Sequence, residues 1–266
     1  MQSDNQNTQH FNQFKIGGSY GKADHEINIT GGFIEYHKDV NSKSSIDIKL
    51  TYIAQKNTLA TSNGLSDLFI NANWLIANNL TLTTGCKLAL SNGNADVDGK
   101  YLPMDFQHSL GTFDLILGLG YNLSGLQLFL AGQQPLNKSK NKFLSESYPA
   151  GSGFRDYQST NNYKRKGDIL LRASYPISLG STFTITPSIL PIYHMGDDEF
   201  TNALGEVETI VDSKGLTLNA NLFIDFAINN TNKISLSFAA PLVTRKVRPD
   251  GLTRKYVAGL EYAVRF

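Results

Sequence analysis

The last twelve residues of the chain, 255-KYVAGLEYAVRF-266, alternate between two kinds of side chain. Every second residue from Tyr256 to Phe266 is apolar or aromatic, whereas the residues between them are charged, small or valine. In a β-strand successive side chains point to opposite faces, so a period of two gives one apolar face and one more polar face. The segment therefore predicts a β-strand that separates two different environments.

The same alternation recurs along the chain, and no long segment shows the 3.6-residue stripe of an amphipathic helix. Residues 46–52 and 216–228 show it as clearly as the last strand does. Twelve segments are predicted as strands, near residues 14–22, 26–38, 45–57, 66–76, 80–91, 110–121, 126–137, 165–177, 182–195, 214–228, 233–247 and 253–266.

The connections between these segments are of two kinds. Every second one is a tight turn, at residues 41–44, 77–79, 122–125, 178–181 and 229–232, and the three long loops, 92–109, 138–164 and 196–214, all fall among the others. Strands of about ten residues with this asymmetry are typical of outer-membrane barrels. We therefore predict an all-β fold: a single transmembrane antiparallel β-barrel of about 12 strands, with short periplasmic turns and long extracellular loops.

This fold class implies the outer membrane of a Gram-negative bacterium, with both termini in the periplasm. Residues 14–266 form the predicted barrel, and the polar residues 1–13 are expected to be either disordered or a small plug in the lumen. A basic region followed by an apolar stretch, the mark of a signal peptide, is not found at residues 1–13.

Aromatic residues favour a membrane barrel over a soluble one. A membrane barrel turns its apolar face outward and carries an aromatic belt at each interface. A soluble barrel of this size would instead need a very large apolar filling. The aromatic residues near the predicted turns are Phe14, Trp74, Tyr121, Tyr175, Phe183, Phe226, Tyr262 and Phe266, and those nearer the long loops are Tyr20, Tyr52, Phe113, Tyr193 and Tyr256.

Composition excludes several other classes of protein. The chain of 266 residues is 41% hydrophobic and 18% charged, and its apolar runs fall far short of a spanning helix, which needs about 18 residues. A formal net charge of +1 argues against a nucleic-acid partner. Cys86 is the only cysteine, so it cannot form an internal disulfide or a thiolate metal site. No cofactor and no metal site are predicted.

Two segments resemble known outer-membrane proteins. The closing strand, with Leu260, Tyr262 and the terminal Phe266, resembles the signal read by the barrel assembly machinery, which implies that machinery as a partner. Residues 102–114, LPMDFQHSLGTFD, continuing to Gly118 and Tyr121, are similar to a loop and strand of the family named MetA-pathway of phenol degradation. That family is grouped with hydrophobic-compound channels, so the resemblance implies passage of small, often aromatic or apolar molecules.

The inward faces of the predicted strands carry nearly balanced charges and several aromatic rings. One interpretation is a polar, water-filled pathway whose charges set its width and selectivity. The other is that the charges pair across the lumen and fill it. The residues expected to line the lumen are Lys49, Asp67, Lys87, Asp114, Asp168, Arg172, Asp225, Glu261, Phe69, Phe129 and Phe223.

The longest loop carries aromatic residues that are costly to leave in water, among them Phe143, Tyr148, Phe154 and Tyr157. They are expected either to fold into the mouth as a gate or to contact a protein partner. Clusters of basic residues at the same rim, including Lys164, Arg165, Lys166, Arg245, Lys246 and Arg248, are expected to contact outer-membrane lipid and lipopolysaccharide, to guide an anion, or simply to be solvated.

Catalysis is the weaker alternative. His194 stands beside Asp197, Asp198 and Glu199, but the sequence offers no compelling serine partner for a lipase-type site. The acidic residues could also hold a hard cation or form a solvated loop. The sequence therefore predicts no enzyme but a channel for passive uptake of small-molecule solutes. Its alternative is a non-conducting scaffold or accessory subunit of an outer-membrane complex.

Overall fold

A computed structural model describes residues 11–251 and 254–266 of the chain. Its helical segments are short 3₁₀ turns at Asp24–Glu26, Met104–Phe106, Ser145–Ser147 and Gly153–Asp156. Among the described residues, no helix has the length and apolar character needed to cross a membrane. The strands are β1 (Asn12–Ala23), β2 (Asn28–Asn41), β3 (Ser44–Lys56), β4 (Thr61–Ala77), β5 (Leu80–Ala89), β6 (Asp96–Val97), β7 (Lys100–Tyr101), β8 (Asp114–Leu123), β9 (Leu126–Pro135), β10 (Asp168–Ser174), β11 (Ile177–Leu179), β12 (Phe183–His194), β13 (Asp198–Thr201), β14 (Val207–Ile210), β15 (Gly215–Ala227), β16 (Asn232–Val243) and β17 (Arg254–Arg265).

Twelve antiparallel strand positions close into one barrel. Their order is β1, β2, β3, β4, β5, β8, β9, β10, β12, β15, β16 and β17, and β17 pairs with β1 again. β10 and β11 share one position, because both pair with β12. The break between them falls at Tyr175 and Pro176, where proline has no N–H to donate to a neighbouring strand. The predicted fold class is confirmed.

The two rims of the barrel differ as the sequence predicts. The five predicted tight turns join β2 to β3, β4 to β5, β8 to β9, β11 to β12 and β15 to β16. The long loops all lie at the opposite rim, which we call the loop rim. Asn12 and Phe266 lie at the turn rim, where the Asn12 N–H donates to the Phe266 carbonyl at 2.9 Å.

Strand register separates the two faces of the wall. Lys15 lies opposite Glu35, and Glu35 lies opposite Lys49, so these charges share the inward face. The outward face is apolar. All thirteen aromatic residues of the two predicted belts are exposed, from 36% for Phe226 to 66% for Phe266. On a transmembrane barrel this face lies against hydrocarbon, which explains why large apolar side chains are not buried in the protein.

Several strand ends differ from the prediction, and the differences matter for the lumen. The strand expected at residues 110–121 begins at Asp114, and the one expected at 165–177 begins at Asp168. The residues that precede both strands fold inward instead, as the burial of Thr112 and Arg165 shows. The sequence also did not predict two small hairpins within the long loops, β6 with β7 and β13 with β14.

Candidate functional site

Three long loops, residues 90–113, 136–167 and 195–214, fold together at the loop rim into what we call the loop cap. Two apolar clusters form its interior. The first contains the aromatic residues Phe106, Phe143, Tyr148 and Tyr157, with Phe154 packed against it. The second contains Met104, Leu110, Tyr163, Phe200 and Ile210. The cap therefore has cores of its own and is not a set of independent loops.

The first cluster attaches the cap to the inner wall of the barrel. Ala23 of β1 and Ile29 of β2 are buried within it, and Ile53 of β3 packs against it. Both strand residues alternate with outward-facing neighbours, so they point into the lumen. The aromatic residues Phe143, Tyr148, Phe154 and Tyr157 thus pack inside the mouth of the barrel.

Polar contacts fix the segment 102–112 to β3 and β4. The Ser62 hydroxyl donates to the Phe106 carbonyl at 2.7 Å, and the Gln55 amide donates to the Gln107 carbonyl at 3.1 Å. Asp67, predicted to line the lumen, accepts a hydrogen bond from the Ser109 hydroxyl at 2.5 Å. Buried polar groups normally have such partners, so these hydrogen bonds help to hold the loop in its inward position.

Lys87 and Asp114 are both predicted lumen residues, and the structure brings them together. Their side chains are almost fully buried, and the Lys87 Nζ lies 3.1 Å from an Asp114 oxygen. Thr112 donates to Asp114 at 2.6 Å, and Gln133 donates to it at 2.5 Å. This pair is saturated by its own neighbours, which matches the interpretation of charges that pair within the lumen.

A second group of charges, which we call the rim network, joins the cap to the ends of β10, β12, β16 and β17. Asp250 lies between the guanidinium groups of Arg165 and Arg245, accepting from the Arg165 Nε at 3.0 Å and from an Arg245 Nη. Burial raises the pKa of a carboxyl, but these two charges hold the pKa of Asp250 well below its usual range. The full network consists of Arg165, Asp168, His194, Asp198, Arg245 and Asp250.

His194 bridges two carboxylates at the centre of the rim network. Its Nδ1 lies 2.7 Å from Asp168 and its Nε2 lies 2.9 Å from Asp198. An ionised carboxylate only accepts, so this geometry fits an imidazolium that donates from both nitrogens. Neither nitrogen is then available to take a proton from a serine. Of the acidic neighbours noted in the sequence, Asp198 joins the network, whereas Glu199 pairs with lysines of the cap.

One serine and histidine do meet inside the lumen. The Ser62 Oγ lies 2.6 Å from the His108 Nε2, but the Ser62 proton also has the Phe106 carbonyl as an acceptor at 2.7 Å. No carboxylate orients His108 among the hydrogen bonds of the described residues. Burial lowers the pKa of His108, which favours its neutral form. The geometry suits a structural contact that holds the cap rather than a nucleophile and its base.

The remaining predicted lumen residues line the wall nearer the turn rim. Asp225 pairs with Lys233 at 3.2 Å, and Lys49 lies 4.0 Å above the centroid of the Phe33 ring. The Phe129 ring covers Gly118, where a Cβ would lie 2.6 Å from the ring. Glycine therefore lets this ring lie flat on the wall. Four more predicted residues face inward, because each lies opposite a neighbour on the inner face. The pairs are Phe69 with Lys87, Phe223 with Ser237, Glu261 with Gly17, and Arg172 with Phe129.

A cavity of about 410 Å³ lies between the rim network and the wall formed by β10, β12, β15, β16 and β17. Its lining mixes aliphatic side chains with amides and hydroxyls. Arg165, Arg245 and Asp250 of the rim network form its wall at the loop rim. The residues from the barrel wall include Leu170, Leu190, Ile192, Thr217, Asn219, Asn221, Ala240 and Val257.

The cap also contains a carboxyl group that titrates near neutral pH. Asp105 packs against Gly251, where a Cβ would lie 2.7 Å from the Asp105 Cα and where φ is +62°, so a glycine is required. Burial raises the pKa of Asp105 from an ordinary value of 3.8 to about 7. The negative charges of Asp250 and Asp24 add to this shift, whereas Arg248 opposes it.

This shift predicts that the cap loosens as pH rises. A carboxyl whose pKa is raised in the folded cap is favourable when neutral, so its contribution is lost as pH rises through about 7. Amide protection factors of the cap, corrected for the intrinsic pH dependence of exchange, are expected to fall as pH rises from the ordinary pKa of 3.8 to about 7 and to change little above that. Asp105→Asn removes the titrating group. Equal slopes in the two proteins would contradict the prediction.

The chain resembles known proteins in its three-dimensional structure but not in its sequence. No protein-family model and no curated protein match the chain. Solved structures match it over nearly its whole length. One is a NanC porin, with 8% identity over 94% of this chain and 98% of that chain and a TM-score of 0.55. LpxR from Salmonella typhimurium has 8% identity over 95% and 99%, with a TM-score of 0.52. The CymD monoaromatic hydrocarbon channel has 7% identity over 97% and 89%, with a TM-score of 0.50.

The chain has the fold of an outer-membrane β-barrel. Identities of 7–8% show the fold alone. No family model supports the resemblance of residues 102–114 to the MetA-pathway family, so that resemblance stays a prediction. The structure does show where the segment lies: it is the part of the cap that contacts β3 and β4.

The alternation of inward-facing and outward-facing residues along the strands did not predict the rim network. Arg165 and Arg245 were expected among the rim cations, yet both are buried and directed at Asp250. Asp250 itself was not singled out by any pattern. The sequence did indicate that these residues lie at one rim, because Arg165, Arg245 and Asp250 are next to the predicted ends of strands on the long-loop side. Pairing them, however, requires the fold of the cap.

Proposed function

We propose that the protein is an outer-membrane channel for passive uptake of small molecules, with small aromatic or apolar compounds as its favoured solutes. The observation that carries this proposal is the cavity of about 410 Å³ inside a closed barrel whose lumen the cap only partly fills. Two of the similar solved structures are named as a porin and a channel, which supports the class of function.

The lining of the cavity supports the solute class. Ligand sites are typically apolar with a few polar groups that fix orientation. Leu170, Leu190 and Ile192 supply aliphatic surface, and the amides of Asn219 and Asn221 interrupt it. The name of the CymD monoaromatic hydrocarbon channel and the MetA-pathway resemblance point in the same direction.

The loop cap acts as the gate in this proposal. Phe143, Tyr148, Phe154 and Tyr157 hold it against the inner wall, and the rim network holds its other side. A solute reaches the cavity from outside only when these contacts move. The cap therefore limits the rate and the size of solutes that pass.

The orientation follows from the asymmetry of the rims. We place the turn rim and both termini in the periplasm and the loop cap at the cell surface. The aromatic belts then contact lipid, and exposed basic residues such as Lys246 contact lipopolysaccharide. Leu260 and Tyr262 are exposed on the outward face of β17, and Phe266 is exposed directly after it, where the barrel assembly machinery would read them.

Flux through the purified barrel in liposomes tests the proposal. A small neutral aromatic is expected to enter faster than a sugar or an amino acid of similar size. Leu190→Trp places a large ring in the cavity and is expected to slow this entry, because the residue lines the cavity. Ile189→Trp on the outward face of the same strand is the matched control, since Ile189 is 52% exposed. Inserted barrels that pass no solute would contradict the proposal.

A scaffold in an outer-membrane complex is the second candidate, and one observation favours it. The hairpin of β13 and β14 exposes Leu204 at 84% and Val207 at 59%, which leaves apolar surface for a partner. Loss of a co-purifying outer-membrane protein in Leu204→Ser, with normal barrel assembly and no flux in the wild type, would favour this role over the channel.

A further inference from the structure

Arg254, the first residue of β17, lies in the wall of the cavity. Within residues 11–251 and 254–266, its side chain makes no hydrogen bond or ion pair, and its Nε is buried without a partner. Arg165 and Arg245 also line the cavity, but both donate to Asp250. Arg254 is thus the cavity arginine that has no carboxylate beside it in the described part of the chain.

The charges that line the cavity therefore leave a positive excess. The cations are Arg165, Arg245 and Arg254, whereas the carboxylates are Asp168 and Asp250. His194 also lines the cavity, and its two carboxylate neighbours favour its charged form. A solute anion that enters would meet an unpaired guanidinium, which forms charge-assisted and often bidentate hydrogen bonds with carboxylates.

A second donor lies in the same wall. The Nδ2 of Asn221 is buried and has no hydrogen-bond partner among the described residues. Asn221 lies opposite Ser188 in the strand register, and the Ser188 hydroxyl is also buried and unpaired in that part of the chain. Buried donors are normally satisfied, so an unpaired amide beside a cavity indicates a partner that the chain does not supply.

The rest of the wall sets the shape of the ligand. Leu190, Ile192 and Val257 contribute aliphatic surface, and the volume of about 410 Å³ falls within the range of small-molecule sites. An inorganic anion would use the arginine but not this surface. A neutral hydrocarbon would use the surface but leave the arginine unpaired.

We propose that the cavity binds a small organic anion with an apolar body, such as an aromatic carboxylate, and that Arg254 holds its carboxylate. The inference rests on the proposed channel and narrows its solute class. The Asn221 amide donates a hydrogen bond either to the carboxylate of the ligand or to a polar substituent on its ring. The aliphatic side chains of the wall pack against the ring.

Calorimetric titration of the full-length barrel in detergent micelles tests the site without using flux. The probes are benzoate, acetate and benzyl alcohol, which separate the charge from the ring. Benzoate is expected to bind about tenfold more tightly than either of the others. Arg254→Gln is expected to weaken benzoate binding about tenfold. Lys255→Gln removes the same charge from the next residue, which is exposed and paired with Glu26, and is expected to leave the affinity unchanged.

Three results would overturn the site. The first is equal affinity for benzoate and acetate, and the second is no binding of benzoate. The third is an equal loss of benzoate affinity in Arg254→Gln and Lys255→Gln, which would show a general electrostatic attraction rather than a binding site. The failure of the site and the failure of the channel are distinguishable. A barrel that passes neutral aromatics but does not bind benzoate is a channel without this site. A barrel that binds benzoate but passes nothing has the site and is not a channel.

Discussion

Asp250→Asn is expected to release the loop cap from the barrel wall. Asp250 is 2% exposed and forms ion pairs with both Arg165 and Arg245. Asparagine keeps the size of the side chain but removes its charge, which leaves two buried guanidinium groups without their shared partner. Removing one partner of a buried ion pair costs about 3–5 kcal/mol. The barrel strands are held by their own ladders, so the cost falls on the cap.

Hydrogen exchange of the purified protein measures this release. Amides in residues 139–165 and 195–214 are expected to exchange faster in Asp250→Asn, whereas amides of β1 and β2 keep their protection. Asp212→Asn is the matched control, because Asp212 pairs with Lys246 at the surface, where both side chains are about half exposed or more. Exposed pairs contribute about 0–1 kcal/mol, so this variant should resemble the wild type. Unchanged protection of the cap in Asp250→Asn would show that the rim network does not hold it.

A triple variant in which serine replaces Phe143, Tyr148 and Phe154 is expected to have a conductance several-fold higher than that of the wild type. The Phe143 and Tyr148 ring centroids are 5.4 Å apart, and those of Tyr148 and Phe154 are 4.9 Å apart. Phe143 is fully buried, and replacing a buried phenylalanine by a small residue costs about 3–5 kcal/mol. Tyr148 also donates to the Tyr101 carbonyl within the cap. The variant therefore removes the contacts that hold the cap against β1 to β3.

Conductance across planar bilayers measures this effect, with Leu204→Ser as the control in the same cap. Leu204 is 84% exposed at a hairpin tip, so its loss should not open the lumen. Unchanged conductance of the triple variant, with a cap shown by hydrogen exchange to be loose, would mean that the cap does not limit flow. Loss of a bound protein partner in the triple variant would instead support the scaffold.

The barrel was predictable because apolar and polar residues alternate within each strand, and this alternation shows that the two faces of the strand lie in different environments. In β17, Tyr256, Leu260 and Tyr262 face outward and Glu261 faces inward, and each position follows from the period of two alone. The tight turns and long loops then fixed the closure and the difference between the rims. These are local features, so a single sequence displays them.

The loop cap was not predictable in the same way, because its contacts join distant segments without a repeating pattern. Ser62 meets Phe106, and Arg165 meets Asp250, across large separations in sequence. The aromatic residues of the longest loop indicated that it must fold against something, yet they could not show what it meets. Strand parity likewise placed Lys87 and Asp114 in the lumen without showing that they form one buried pair.

The most direct test of the account compares solute uptake by the wild type and by a barrel without part of its cap. Residues 142–161 can be excised and replaced by a short glycine linker, because the Asn162 N–H donates to the Asn141 carbonyl at 2.8 Å and the cut ends are neighbours. In liposomes, the wild type is expected to admit only small solutes, and the shortened barrel is expected to admit larger ones as well. No uptake by either barrel, with both inserted and folded, would contradict the claim that this protein is a capped channel.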